Sequence, residues 1–186
     1  QLGKALYESG LTCAEVTFRT EAAADAIRIM KLNYPDMLLG AGTVLTIDQV
    51  DLALEAGASF IVSPALNPDI VRYCQKRKVT IVPGIVTPGE LEVAWNLGLR
   101  VVKFFPAELS GGLAMIQAMT AAYMDMKFMP TGGICAENVR SYLADKHILA
   151  CGGSWMVKES LIEEGQFNQI RNLCEEAVRI VRETGE

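Results

Sequence analysis

Seven short apolar runs punctuate the chain, each ending in small or polar residues and each followed by a segment of helical spacing. The runs are Thr12–Thr17, Met37–Ala41, Ser59–Val62, Thr80–Val82, Arg100–Phe104, Met126–Met129 and His147–Cys151. Their starts lie about 20–26 residues apart, the length of one βα unit. Runs this short and this apolar predict parallel strands buried on both faces. The helices between them have start signals. Thr46-Ile-Asp-Gln49 has the spacing of a capping box, in which the Thr oxygen takes a free N–H and Gln reaches back. Thr87-Pro-Gly-Glu90 has it too, with Pro88 at the first helical position. Asn67 before Pro68 predicts a further cap. Gly10, Gly57 and Gly98 close helices just before strands, where a left-handed residue is expected. Phe167, Ile170, Cys174, Ala177, Val178 and Val181 predict an amphipathic last helix on the outside of the sheet.

This alternation fits an eight-stranded (β/α) barrel or an open doubly wound sheet. The chain opens on a helical segment, Leu2–Ser9, that leads into a strand. In a βα repeat such a helix follows a strand, so a first strand is expected upstream of Gln1. With it the count is eight, and the expectation is an α/β fold: a (β/α)8 TIM barrel, its first strand missing from the chain, forming one domain over residues 1–186.

Composition narrows the function. The 186 residues are 51% hydrophobic and 21% charged, which describes a folded globule with room for one core. A net charge of −5 without a basic run argues against nucleic acid and anionic membrane as partners. His147 is the one histidine, so zinc sites built on several histidines are excluded. It opens a strand, away from the carboxyl ends, and is expected to be structural. The five cysteines form no C-x-x-C pair and are odd in number, which points to a reduced, cytoplasmic setting. Cys13, Cys74 and Cys174 are expected to act as small hydrophobes. No apolar run reaches the length of a membrane span, and no leader pattern opens the chain. Met115, Met119, Met124, Met126 and Met129 read as core filling, Trp155 as packing, and Asp36, Asp48, Asp51 and Asp69 as caps or solvated charges. No carboxylates cluster at strand ends as a magnesium site needs.

In either architecture chemistry sits at the carboxyl ends of the strands. Lys103 lies in Val-Val-Lys-Phe-Phe-Pro, where an apolar wall disfavours the ammonium form. A neutral amine there attacks a ketone to give a Schiff base. The competing reading is a lysine that snorkels out of the strand end or pairs with a carboxylate. Glu15 also sits in an apolar run, and alternation puts Cys13, Glu15 and Thr17 on one face, with Ala14, Val16 and Phe18 on the other. Glu15 and Lys103 are both expected to point inward, as a buried ion pair or as an acid/base beside a nucleophile. Arg19 ends the same run, with a planar fork suited to a carboxylate. Thr131-Gly-Gly133 and Gly152-Gly-Ser154 end consecutive runs, and two glycine turns there are the usual phosphate seat of a barrel.

These strand ends resemble the 2-keto-3-deoxy-6-phosphogluconate (KDPG) and 4-hydroxy-2-oxoglutarate aldolase family. The matching segments are Glu15-Val-Thr-Phe-Arg-Thr20, Gly40-Ala-Gly-Thr-Val-Leu45, Ser63-Pro64, Pro83-Gly84, Lys103-Phe-Phe-Pro-Ala107, Pro130-Thr-Gly-Gly-Ile134 and Gly152-Gly-Ser-Trp155, in family order over nearly the whole chain. The resemblance implies a cytoplasmic, homotrimeric (β/α) barrel of the Entner–Doudoroff type that uses a Schiff-base lysine, no cofactor and no metal. It implies that Lys103 forms the imine and that Glu15 is the general acid/base. Arg19 and Thr43 would bind the pyruvate carboxylate, and Thr131 would contact substrate. Gly132, Gly133, Gly153 and Ser154 would take the phosphate, while Pro64 and Phe105 would shape the pocket. The chain departs from the family pattern at Ala65, where Gly follows Ser-Pro, and at Gly89, where Thr or Ser is usual. The implied reaction cleaves KDPG to pyruvate and glyceraldehyde 3-phosphate, with 4-hydroxy-2-oxoglutarate as a further substrate. A metal-free phosphate-binding isomerase and a non-catalytic sugar-phosphate sensor are the alternatives. The first has no use for a desolvated lysine, and intact Glu15, Arg19 and Lys103 weigh against the second.

Overall fold

The computed structural model describes residues 1–184. In chain order its elements are α1 (Leu2–Glu8), β1 (Cys13–Thr17), α2 (Ala22–Asn33), β2 (Leu38–Gly42), α3 (Ile47–Glu55), β3 (Phe60–Ser63), α4 (Pro68–Lys76), β4 (Thr80–Ile85), α5 (Pro88–Asn96) and β5 (Val101–Phe104). They continue with α6 (Gly112–Thr120), β6 (Lys127–Pro130), α7 (Val139–Leu143), α8 (Glu159–Glu163) and α9 (Phe167–Thr184). Glu108–Ser110 and Trp155–Val157 form short 3-10 turns. The chain falls into two compact units, residues 13–103 and residues 1–12 with 104–186.

In the unit of residues 13–103, β1 to β5 lie side by side in chain order. β1, β2, β3 and β4 pair in parallel, with Glu15 opposite Gly40, Ala41 opposite Ile61 and Val62 opposite Val82. Consecutive strands joined by short βα connections commonly lie side by side in this way. Leu39, Ala41 and Ile61 share one face and are fully buried, as are Val50, Val71 and Leu91 from the helices, while Val62 is buried on the other face. Apolar strand residues sealed by an apolar helix stripe supply the main driving force for this layer.

The caps form largely where the sequence predicts. Asn67 accepts the Asp69 N–H at 2.9 Å, ahead of Pro68. Thr87 and Glu90 complete both halves of a capping box. At α3 the box is shifted by one residue. Thr46 accepts the Gln49 N–H at 3.2 Å, but Gln49 Oε1 takes the N–H of Leu45. Gly57 and Gly98 have φ of +100° and +81°, as the helix-ending position requires. Asp51, expected as a cap or solvated charge, instead ties α3 to α4: it accepts from the Tyr73 hydroxyl at 2.7 Å and pairs with Arg77. Cys74 is buried, which pushes its thiol up to about 11. Cys13 corrects the expectation of a buried hydrophobe, because it is exposed at the start of β1.

In the other unit, the run at 147–151 does not form the expected strand. It meets β6 only at bridges between Phe128 and Ile148 and between Thr131 and Gly152. Leu149 donates to the Phe128 carbonyl but its side chain is exposed, so the run lacks the two covered faces of a buried strand. Six strands are therefore found among the described residues, where the seven apolar runs called for seven. α9 buries Ile170, Cys174, Ala177 and Ile180. Val181, expected on that face, is exposed, because the buried stripe runs through Ile180. The helix packs on α1, α7 and α8, so its apolar face covers helices where a sheet was expected. Met119 and Met126 fill the core, whereas Met124 is exposed in the turn after α6. His147 is structural, with Nδ1 3.2 Å from the Met126 carbonyl. Among the described residues no helix is long and apolar enough to cross a membrane.

The first turn of α5 gives a paired stability prediction. Thr87→Ala removes the side-chain oxygen that accepts the Glu90 N–H, while Glu90 keeps the backbone N–H of residue 87, and it should cost about 1 kcal/mol. A Cβ at Gly89 would meet nothing within 4 Å, and its φ is not positive. Gly89→Ala should therefore gain about 0.5 kcal/mol. Urea unfolding reads both, and a Thr87→Ala midpoint at or above the parent's would contradict the capping assignment.

Candidate active site

The concave face is built on two glycines. In the β1–β2 register Glu15 faces Gly40, and Gly42 lies two residues further along the same face. A Cβ at Gly42 would lie 1.9 Å from Glu15 Oε1, and one at Gly40 would lie 2.2 Å from the Phe60 ring. The Glu15 carboxylate thus occupies the space a side chain at 42 would fill. The sequence reading passed over this role. Its signal was a pair of glycines two residues apart inside a strand, the mark of a close approach by another group.

Lys103 on β5 meets that carboxylate, with Nζ 3.6 Å from Glu15 Oε1. Four strand-to-strand steps separate β1 from β5, and a flat sheet would hold them about 19 Å apart. The sheet within this unit is therefore curled, with Glu15 and Lys103 on its inner face. Strand alternation sends Val102 and Phe104 to the opposite side, both without exposure. Lys103 itself is 8% exposed. The wall around it is not apolar throughout, as its run suggested, because a carboxylate stands beside the amine. That spacing lets a proton pass between them, directly or through one water, and it suits a nucleophile with an adjacent base.

The neighbouring strand ends are held closely. Gly84 on β4 packs on the turn after β3, where a Cβ would lie 2.1 Å from the Pro64 carbonyl oxygen. Ser63 is buried, and its hydroxyl donates to the Ala65 carbonyl at 2.8 Å to close that turn. Ala65 has no positive φ, so this turn does not need the glycine of the family pattern. Thr43 has φ +57°, an unusual conformation for a β-branched residue, costing roughly 1–3 kcal/mol. It turns the chain out of β2 so that the Val44 N–H reaches the Val62 carbonyl at 3.1 Å. Arg19 lies in the turn after β1 with its side chain exposed.

The remaining candidates belong to the unit of residues 1–12 and 104–186. Gly132 and Gly133 have φ of +93° and +84°. The Ala107 and Glu108 N–H groups donate to the Thr131 and Gly132 carbonyls at 2.8 and 3.1 Å, which fastens this turn to the chain after β5. Phe105 lies in that connection, half-buried, and a Cβ at Gly132 would lie 3.3 Å from its ring. Asn138 donates to the Gly133 carbonyl at 2.9 Å. Gly152 allows Thr131 Cγ2 to approach its α-carbon, and Gly153 does the same for the Trp155 ring. Thr131 is buried with its hydroxyl unpartnered. Among the described residues the N–H groups of Gly133, Gly153 and Ser154 have no acceptor. Backbone donors left open in glycine turns suit an anion with several oxygens. Burial pushes the Cys151 thiol, just before the second turn, up to about 12. No group of three or more His, Cys, Asp or Glu that could hold a metal occurs among the described residues.

Comparisons with known proteins show the family. A family model described as "KDPG and KHG aldolase" matches residues 1–173. A 2-dehydro-3-deoxy-phosphogluconate aldolase of Haemophilus influenzae is 49% identical over 181 residues, covering 97% of this chain and 85% of that protein. The crystal structure of KDPG aldolase from Legionella pneumophila, with pyruvate captured as a covalent carbinolamine intermediate, superposes with a TM-score of 0.90 at 36% identity. That match covers 94% of this chain and 84% of the other. The aldolase of Zymomonas mobilis with 3-phosphoglycerate gives a TM-score of 0.88 at 39% identity, covering 95% and 82%.

Gly42→Ala tests the packing of the inner face. The added methyl collides with the Glu15 carboxylate, so the variant should lose roughly 1–3 kcal/mol and displace Glu15 from Lys103. Unfolding in urea and a crystal structure of the variant measure the two effects. An unchanged stability with Glu15 still beside Lys103 would contradict the assignment.

Proposed function

The chain belongs to the KDPG and KHG aldolase family, and from that premise we propose that it cleaves 2-keto-3-deoxy-6-phosphogluconate to pyruvate and glyceraldehyde 3-phosphate. The observation that carries this reading is the buried Lys103 amine with the Glu15 carboxylate 3.6 Å away. The Lys103 amine attacks the C2 ketone, and the carbinolamine loses water to give a protonated imine. The bond between C3 and C4 then breaks, its electron pair drawn into the imine. Glu15 takes the C4 hydroxyl proton, directly or through a water, as the aldehyde carbonyl forms. Glyceraldehyde 3-phosphate leaves, the enamine is protonated at C3, and water releases pyruvate and the free lysine.

The other residues position the substrate in this reading. Arg19 and Thr43 hold the carboxylate next to C2. Gly132, Gly133, Gly153 and Ser154 bind the phosphate through their open N–H groups and the serine hydroxyl. The unpartnered Thr131 hydroxyl contacts a substrate oxygen, and Pro64 and Phe105 shape the pocket about the lysine. Orientation of this kind lowers a barrier by about 7–11 kcal/mol in favourable cases. Several finer points belong to the same proposal: a single aldolase domain over residues 1–186, a (β/α)8 barrel, a homotrimer, a cytoplasmic setting, and 4-hydroxy-2-oxoglutarate as a second substrate.

Steady-state release of pyruvate tests the proposal. The phosphorylated substrate should give the higher kcat/KM, because 4-hydroxy-2-oxoglutarate is shorter and carries no phosphate for the glycine turns. Glu15→Gln should lower kcat about 10²–10⁴-fold while the protein stays folded. No pyruvate release by the parent protein would refute the reading, and full turnover by Glu15→Gln would remove Glu15 from it.

A further inference from the structure

Glu108 presents a problem to an anion seat. A Cβ at Gly133 would lie 2.5 Å from Glu108 Cγ, so this side chain runs directly against the turn assigned to phosphate. An unrestrained carboxylate there would repel the bound anion. The structure keeps it elsewhere. Glu108 Oε1 accepts a hydrogen bond from the Tyr142 hydroxyl. A Cβ at Gly112 would lie 3.3 Å from that same Oε1 and 3.0 Å from the tyrosine oxygen. Gly112 thus clears the space in which the two groups meet. Tyr142 is 2% exposed on α7, so its hydroxyl is a fixed donor. Burial, followed by the Glu108 hydrogen bond, holds that hydroxyl well above the usual tyrosine range and keeps it protonated. Among the described residues no cation pairs with Glu108, which leaves the tyrosine to hold its charge in place.

We propose that Tyr142 and Glu108 are positioning residues for the Gly132–Gly133 turn: the tyrosine hydroxyl holds the carboxylate on the Gly112 side, clear of the anion seat. The backbone and methylene groups of Glu108 brace the turn meanwhile, through its N–H on the Gly132 carbonyl at 3.1 Å and its packing on Gly133. This deepens the functional reading and rests on its assignment of the turn to phosphate. The neutral phenol supplies restraint without adding charge, and the carboxylate is the element it restrains. The effect on binding is therefore conditional: losing the phenol harms anion binding only while the carboxylate is present.

That condition gives the test. The dissociation constant for inorganic phosphate is measured by tryptophan fluorescence on the parent, Tyr142→Phe, Glu108→Gln and the double variant, beside kcat and KM for KDPG. Tyr142→Phe should weaken phosphate binding and raise KM by about tenfold, the scale of one misplaced charge near an exposed anion. Its kcat should stay within about twofold of the parent, since the lysine and its base lie elsewhere in the sequence of steps. Glu108→Gln should bind phosphate at least as well as the parent, and adding it to Tyr142→Phe should restore most of the loss. A Tyr142→Phe protein with unchanged phosphate binding overturns the proposal. So does a double variant as impaired as Tyr142→Phe, because a merely structural tyrosine would give that result. A parent that binds phosphate but releases no pyruvate fails the functional reading alone.

Discussion

A lysine amine and a glutamate carboxylate stand 3.6 Å apart on the inner face of a curled parallel sheet, and the strands of that unit are shaped to admit the meeting. Neither group could be buried there alone, because an unpartnered charge in a protein interior is costly. The pair is also poor as a stabiliser, since two charges lose more hydration than their attraction commonly returns. A pair of this sort, a buried lysine beside a half-buried glutamate, is better accounted for by chemistry than by stability. In the proposed reaction the shielded amine attacks the carbonyl and the nearby carboxylate manages the protons.

Curvature and glycine make the meeting geometrically feasible. The sheet brings together strands that would stand about 19 Å apart if it were flat. Gly40 and Gly42 leave open the surface over which Phe60 and Glu15 lie. Gly84 brings β4 against the Pro64 carbonyl, and Ser63 closes the turn beside it. The positive φ of Thr43 stores local strain at a strand end that the surrounding pairing holds in place. The strand glycines and the Thr43 conformation each cost stability, and each lies on the face that carries Glu15 and Lys103 or at its rim. The apolar residues on the opposite face, sealed by α2 to α5, offset that cost.

Much of this was legible in the residues. The βα period placed six strands within a residue or two of their observed starts, because short apolar runs closed by Gly and capped helices agree with one another locally. Glu15 and Lys103 were legible because strand alternation fixes the face and each stands out among apolar neighbours. What was hidden depends on tertiary placement. The role of Gly42 depends on which side chain lies over it, and that is set by the β1–β2 register. Glu108 carries no signal in the sequence, since its meeting with Tyr142 joins positions 34 residues apart. Cys13 and Met124 are exposed for a related reason: apolarity alone does not tell a strand's end or a turn from its core. The run at 147–151 has the composition of a strand, but its pairing reduces to two bridges.

The central claim is that the Lys103 amine, faced by Glu15, bonds covalently to a keto acid. Pyruvate and sodium borohydride, followed by proteolysis and mass spectrometry, test it most directly. The account predicts a stable reduced pyruvate adduct on the peptide that contains Lys103, and none on Lys103→Met. An adduct on a different lysine, or equal labelling of Lys103→Met, would contradict it.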